Sequence, residues 1–312
     1  MTRVGAVDCG TNSIRLLIAD RSGDALTEVV RESEIVRLGY GVDRTGRIDS
    51  VAMARTLAAT SRYAALCARH EVAAVRFVAT SASRDASNAE EFVAGVRAAF
   101  GERAVVPEVI SGEEEAALSF RGATGQLLAA GVPSPYLVVD LGGGSTELVR
   151  GTSSVAAGLS LDIGSVRLTE RYLLSDPPAP AEVSAAVGDV RAALDAAERV
   201  VDLGGIRTLV GLAGSITTVT AHALGLAAYD RTLINLSTLT PQAVVAACGS
   251  LLSMSRADRA ALPYMHPGRV DVIGAGALIW REIVERVVAR SGVEQVVTSE
   301  HDILDGIALS VG

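Results

Sequence analysis

Two six-residue stretches, Asp8-Cys9-Gly10-Thr11-Asn12-Ser13 and Asp140-Leu141-Gly142-Gly143-Gly144-Ser145, share the spacing D-x-G-x-x-S. Each follows one apolar run, Val4 to Val7 or Tyr136 to Val139, and precedes another, Ile14 to Ala19 or Thr146 to Val149. Apolar runs joined through glycine read as strand, tight turn, strand. One such turn is common. Two with matched flanks, about half a chain apart, predict two similar lobes facing across a cleft, and 312 residues suffice for two cores.

The turn itself has a chemistry. Glycine lets backbone N–H groups approach an anion without hindrance from Cβ. The hydroxyls of Thr11, Ser13 and Ser145 add donors, and Gly142, Gly143 and Gly144 open the second copy further. Asp8 and Asp140, at the ends of their strands, would face the same phosphates, which is tolerable only through a divalent cation or its waters. Glu147 follows Asp140 by seven residues, the offset that separates Arg15 from Asp8. It reads either as holding water beside the cation or as facing solvent.

Ahead of the second turn, Ser111-Gly112-Glu113-Glu114-Glu115-Ala116 ends a strand and starts a helix with three acids in its first turn. A serine cap and the helix macrodipole explain acids there in general. Hydrolysis of a phosphoanhydride also needs a carboxylate to orient and deprotonate water, and residue types alone do not choose among the three. Arg84, after Thr80-Ser81-Ala82-Ser83, would either grip a phosphate bidentately or pair with Asp85 or Glu90.

Elsewhere the pattern alternates. Helices are predicted over 50–70, 89–100, 181–201, after Ser215, over 276–289 and from about Asp302; strands are predicted over 75–79, 105–110, 208–212 and 295–298. Alternation of this kind builds an α/β sheet. The Gly/Pro-containing segment 129–135 reads as a linker. The expected lobes are residues 1–128 with 299–312, and 129–298.

Composition excludes several classes. Charged residues are 21% and hydrophobic ones 49%, with no apolar run long enough for a membrane helix. A net charge of −8 disfavours broad binding to nucleic acid or anionic lipid. The basic residues are all arginine, which we read as codon bias; without lysine there is no Walker-type loop. Cys9, Cys67 and Cys248 are too scattered for a disulfide framework or a zinc site. No secretory leader is apparent, so a cytoplasmic location is expected. Cys9 to Arg15 satisfies C-x5-R, the spacing of cysteine-dependent phosphatases. That mechanism requires the loop to enter a helix, whereas Ile14 to Ala19 is a β-type run.

Taken in order, the Asp8–Ser13 turn, Ala79 to Ala86, Ile110 to Ala116 and Asp140 to Glu147 resemble the exopolyphosphatase / guanosine pentaphosphate phosphohydrolase family. So do Gly211 to Thr218 and Leu262 to Leu278, so the resemblance spans nearly the whole chain. It implies an α/β fold of two actin-like (ribonuclease H-like) lobes with a cleft between them. It implies Glu115 as the catalytic carboxylate and phosphate contacts from Asn12, Ser13, Arg84 and Gly143 to Ser145; Thr11, Arg15 and Gly142 are further candidates for phosphate contact. It also implies a Mg²⁺ (or Mn²⁺) site near Asp140 and Glu147, with Asp8 as a further candidate ligand. The expected substrates are inorganic polyphosphate or guanosine pentaphosphate, with guanosine tetraphosphate as a further ligand, and the expected assembly is a homodimer.

Two departures from the family pattern shift the expectation toward short polyphosphate. The helical C-terminal domain of longer relatives has no counterpart, and Ile303-Leu304-Asp305-Gly306 stands where many relatives carry an arginine. His301 is expected to cap or face solvent, and His222 to be structural. The few aromatic residues, Trp280 included, offer no sign of base stacking. An actin-like kinase and a non-catalytic nucleotide sensor are the competing readings.

Overall fold

The computed structural model describes residues 1–312. They form two compact units, residues 1–122 with 303–312, and residues 123–302. The division falls inside a helix, upstream of the Gly/Pro segment, which is the turn between that helix and the next strand.

Unit 1 opens with an antiparallel meander, β1 (Thr2–Cys9), β2 (Ser13–Ser22) and β3 (Ala25–Ile35). Helices α1 (Val42–Thr45) and α2 (Ser50–Arg69) lead to β4 (Ala74–Ala79), which runs parallel to β1. Then come α3 (Ser81–Asp85), α4 (Ala89–Phe100), the short β5 (Glu108–Val109) and the start of α5 (Gly112–Ala129). The sheet order is β3-β2-β1-β4-β5. The predicted strand at 105–110 shrinks to two residues, because Pro107 has no N–H to give to a ladder. Helix α2 starts where the Asp49 carboxylate accepts from the N–H groups of Val51 (2.9 Å) and Ala52 (3.2 Å).

Alternation along the strands sorts side chains to two faces. Val7, Cys9, Ile14, Leu16, Ile18 and Phe77 enter the core shared with α2 and α4. Val4, Ala6, Leu17, Ala19 and Val78 enter the opposite one. By parity Asp8 and Arg15 continue the second face, at its open end.

Unit 2 repeats the plan. A meander of β6 (Tyr136–Leu141), β7 (Thr146–Gly151) and β8 (Val155–Leu161) is followed by α6 (Ser165–Tyr172), α7 (Pro180–Ala197) and β9 (Thr208–Leu212), which is parallel to β6. The chain continues through α8 (Ala213–Ala223), α9 (Arg231–Ile234), β10 (Thr238–Leu239), α10 (Pro241–Ser253), α11 (Arg256–Ala260), α12 (Ile273–Ser291) and β11 (Val296–Thr298). It then returns to unit 1 as α13 (Ile303–Ser310), which covers the face of Val4, Ala6 and Leu17. The order β10-β11-β9-β6-β7-β8 contains the same run of three antiparallel and two parallel strands as unit 1. Trp280, 1% exposed, sits in the core of this unit, a packing role that leaves its ring no base to stack on. No helix is long and apolar enough to cross a membrane.

Candidate active site

Both glycine turns are closed by the same bond, Gly10 N–H to Ser13 O at 2.9 Å and Gly142 N–H to Ser145 O at 3.0 Å. Each is also held from behind. In unit 1 the N–H groups of Val36 and Arg37 donate to Asn12 O (3.0 and 2.9 Å), and that of Gly39 donates to Thr11 O (2.8 Å). In unit 2 Ser165 N–H donates to Gly142 O (3.0 Å), while Val166 and Arg167 N–H donate to Gly143 O (2.9 and 3.1 Å). The Arg167 guanidinium completes the set, its Nε donating to Gly144 O at 2.8 Å.

In a trans peptide the N–H points opposite to the C=O. Drawing these carbonyls backward therefore turns the N–H groups of Asn12 and Ser13, and of Gly143, Gly144 and Ser145, to the other side as two cradles of donors suited to an anion. The side chain of Asn12 adds a buried Oδ1 with no hydrogen-bond partner. An amide can be turned over, and the same position then presents an N–H donor.

The segments behind the cradles escape sequence reading. They approach so closely that only glycine fits. A Cβ at Gly39 would lie 2.3 Å from Thr11 Cγ2, and one at Gly164 would lie 2.4 Å from Gly143 O. The signal was present as a glycine after each third strand, but nothing local marks such a glycine as touching a turn.

Strand register gives the offset of seven its meaning. Asp8 lies directly opposite Arg15, and Asp140 directly opposite Glu147. In unit 1 the charges cancel: Arg15 donates to Asp8 Oδ2 from Nε (2.9 Å) and Nη2 (2.6 Å). Asp8, expected from the sequence to need a cation, is met by the arginine of its own hairpin. Arg15, expected on phosphate, spends at least two of its donors on that carboxylate.

In unit 2 the partner is a second carboxylate. Asp140 and Glu147 are 6% and 1% exposed, and like charges directly opposite one another repel. Ser160, opposite Glu147 on β8, donates to Glu147 Oε1 at 2.8 Å. A magnesium ion suits this pair, since Mg²⁺ binds through one or two carboxylates and keeps waters and phosphate oxygens as its other ligands. Asp8, already paired with arginine, does not fit such a site.

The structure also separates the three acids at the start of α5. Glu113 and Glu114 are exposed, and Glu114 pairs with Arg76 at 2.6 Å. Glu115 alone is buried, at 8% exposure. Arg84 reaches it: Nη1 donates to Glu115 Oε2 (3.3 Å) and to Ile110 O (2.9 Å). Arg84, expected either on a phosphate or in a pair with Asp85 or Glu90, thus pairs with Glu115 within unit 1. Beside it, Ser83 Oγ is buried without a partner, and Thr11 Oγ1 lies 2.7 Å from Ser81 Oγ. Polar side chains of the first turn and of the β4–α3 junction therefore meet.

Cys9 takes no part in this. It points into the α2/α4 core, fully buried, and desolvation, reinforced by the Asp8 charge, pushes its thiol well above the ordinary range. His301 is hydrogen-bonded to Gln126, Nε2 to Nε2 at 2.7 Å. His222 lies between Tyr264 OH and Ser250 Oγ, 2.9 Å from the latter. It is structural, as its helix setting implied.

Two actin-like α/β units, each with a strand–turn–strand anion cradle, define a phosphoryl-handling enzyme of the actin-like fold. Comparison with known proteins narrows this. Residues 17–311 match the model of the Ppx/GppA phosphatase family. The chain belongs to that family. It is 52% identical over 319 residues to Exopolyphosphatase 2 of Mycobacterium tuberculosis, covering all of this chain and 99% of the relative. A crystal structure described as an exopolyphosphatase-like protein superposes with a TM-score of 0.95 at 45% identity, covering 99% of this chain and 97% of that one. The Ppx/GppA enzyme of Aquifex aeolicus superposes with a TM-score of 0.81 at 30% identity, covering 99% of each chain.

Proposed function

We propose that this protein is an exopolyphosphatase that releases terminal orthophosphate from inorganic polyphosphate, with Glu115 as the general base. The observation that carries the reading is the burial of Glu115 alone among three adjacent acids, with Arg84 at 3.3 Å fixing its orientation. Its carboxylate takes the proton of a water as the water oxygen attacks the terminal phosphorus, and the P–O bond to the rest of the chain breaks. Charge developing on the phosphoryl oxygens is met by fixed dipoles that need no reorganisation. In unit 1, which also carries Glu115, these are the N–H groups of Asn12 and Ser13; unit 2 offers a set of its own, those of Gly143, Gly144 and Ser145. Asp140 and Glu147 would hold magnesium, which would neutralise phosphate charge there. The name of the M. tuberculosis relative supports polyphosphate as the substrate.

The test is orthophosphate release from short and long polyphosphate, guanosine pentaphosphate and ATP, by wild type and Glu115→Gln. Removing a general base costs about 10²- to 10⁴-fold in rate, so the variant is expected to lose at least that on polyphosphate while keeping its melting temperature. A folded Glu115→Gln with half the wild-type rate would remove Glu115 from the mechanism. A strong preference for guanosine pentaphosphate at matched terminal-phosphate concentration would replace the substrate.

A further inference from the structure

The two units carry the same cross-strand row, and the rows differ at one place. In unit 1 the row runs Asp8, Arg15, Ser33 across β1, β2 and β3; in unit 2 it runs Asp140, Glu147, Ser160 across β6, β7 and β8. Opposed residues on neighbouring strands share a face, so each row is a line of adjacent side chains. Arginine in the middle of the first row closes on Asp8, and Ser33 beyond it is exposed. Glutamate in the middle of the second row has no such closure on Asp140, since both are acids. There the outer serine acts, and Ser160 Oγ donates to Glu147 Oε1 at 2.8 Å.

We infer that Ser160 is a positioning residue, which fixes the Glu147 carboxylate beside Asp140 so that the two hold a divalent cation. This rests on the reading of Asp140 and Glu147 as the cation site. A glutamate side chain has three rotatable bonds, and opposite a second carboxylate its charge favours a rotamer that swings away. A hydroxyl donor on the neighbouring strand counters that with a hydrogen bond to a charged group. The bond also fixes which carboxylate oxygen the serine engages. Groups that orient a metal ligand typically change metal affinity about 10- to 100-fold when removed. Ser160 sits on the outermost strand of its sheet, so its substitution perturbs few neighbours.

The experiment measures Mn²⁺ binding to the full-length, substrate-free protein by electron paramagnetic resonance, with Mg²⁺ as competitor. Ser160→Ala is expected to weaken Mn²⁺ binding about 10-fold, and Ser160→Thr, which keeps the hydroxyl, to restore it. Glu147→Gln is expected to lose more, and adding Ser160→Ala to it to lose nothing further, because the serine acts only through the glutamate. Should alanine unfold the strand edge, Ser160→Cys keeps the volume with a weak donor and is expected to fall between alanine and wild type. If Glu147→Gln weakens Mn²⁺ binding while Ser160→Ala and Ser160→Cys bind like wild type, the positioning role is overturned and the cation site stands. If Glu147→Gln binds Mn²⁺ as wild type does, the cation site is wrong and the inference falls with it.

Discussion

Gly164 offers a sharp test of the cradle in unit 2. It lies in extended backbone just before α6, against the turn from behind. A Cβ there would stand 2.4 Å from Gly143 O, 2.5 Å from Gly143 C and 2.6 Å from Gly144 C, where ordinary contact begins at 3.4 Å. All three atoms are backbone, so no side chain can rotate away, and the turn must retreat by about 1 Å. Overpacking of this kind costs about 1–3 kcal/mol. For a protein of this size that is a fall in melting temperature of several degrees, on the order of 2–4 °C per kcal/mol. The rate should suffer more, because a misplacement of about 1 Å at donors aimed at a transition state can cost about 10²-fold. Gly164→Ala is therefore expected to lose about two orders of magnitude in kcat/KM for polyphosphate, measured by initial orthophosphate release, while staying folded at 25 °C. The control is Gly188→Ala in α7, where a Cβ meets nothing within 4 Å; it should gain about 0.5–1 kcal/mol from helix propensity with unchanged kinetics. A Gly164→Ala protein with wild-type kcat/KM and melting temperature would refute the account of how the turn is held.

The remaining expectations concern buried groups. Burial lowers the His222 pKa below its ordinary value, so the unfolded chain takes up this proton more readily than the folded one. Stability from this site is complete above about pH 6.5 and is lost as pH falls below that. Melting curves from pH 8 to 5 should show wild type losing more stability on acidification than His222→Gln, and a smaller loss for wild type would reverse the sign. Cys9, Cys67 and Cys248 are all buried, and burial raises each thiol, Cys67 to about 11. A thiol reagent at pH 8 should label none of them until the protein is denatured, and Cys9→Ala should keep kcat within about twofold, far from the loss expected on removing a nucleophile. Rapid labelling of Cys9 with loss of activity would revive the cysteine mechanism.

The spacing of Asp8 to Ser13 and Asp140 to Ser145 was enough to read two sheets of similar plan. The hairpin registers explain why: a closed turn forces each aspartate opposite the residue seven positions on. That same register pairs Asp8 with Arg15, and the offset alone does not distinguish this pairing from an aspartate that faces phosphate. Strands β3 and β8 went unread for different reasons. Strand β3 carries four charged residues on a mostly exposed edge, and Glu28, Arg31, Glu32 and Glu34 interrupt the apolar pattern. Strand β8 contains Gly158 and two alanines, which weaken any β-type signal. The family resemblance points to Glu115, but the three glutamates cannot be told apart by residue type, and only the placed helix shows that Glu115 alone is buried. Nothing local marks Ser160 as facing Glu147 or Gly164 as touching the turn, because each contact joins different elements of the chain.

Both cradles are assembled from pieces that meet only late along the chain. The Asp8–Ser13 turn is held by residues 36–39, and the Asp140–Ser145 turn by residues 165–167. A hairpin peptide such as 1–22 has the glycine, the hydroxyls and the aspartate, but nothing to draw its carbonyls back. Its amides would stay disordered and bind phosphate no better than any flexible chain. Closing such loops costs conformational entropy before the contact repays it, so anion binding should appear with the final consolidation of each unit and not with its first secondary structure. Phosphate protection against unfolding would then report on finished tertiary structure, and a nascent or nicked chain would be unable to sequester polyphosphate it could not cleave.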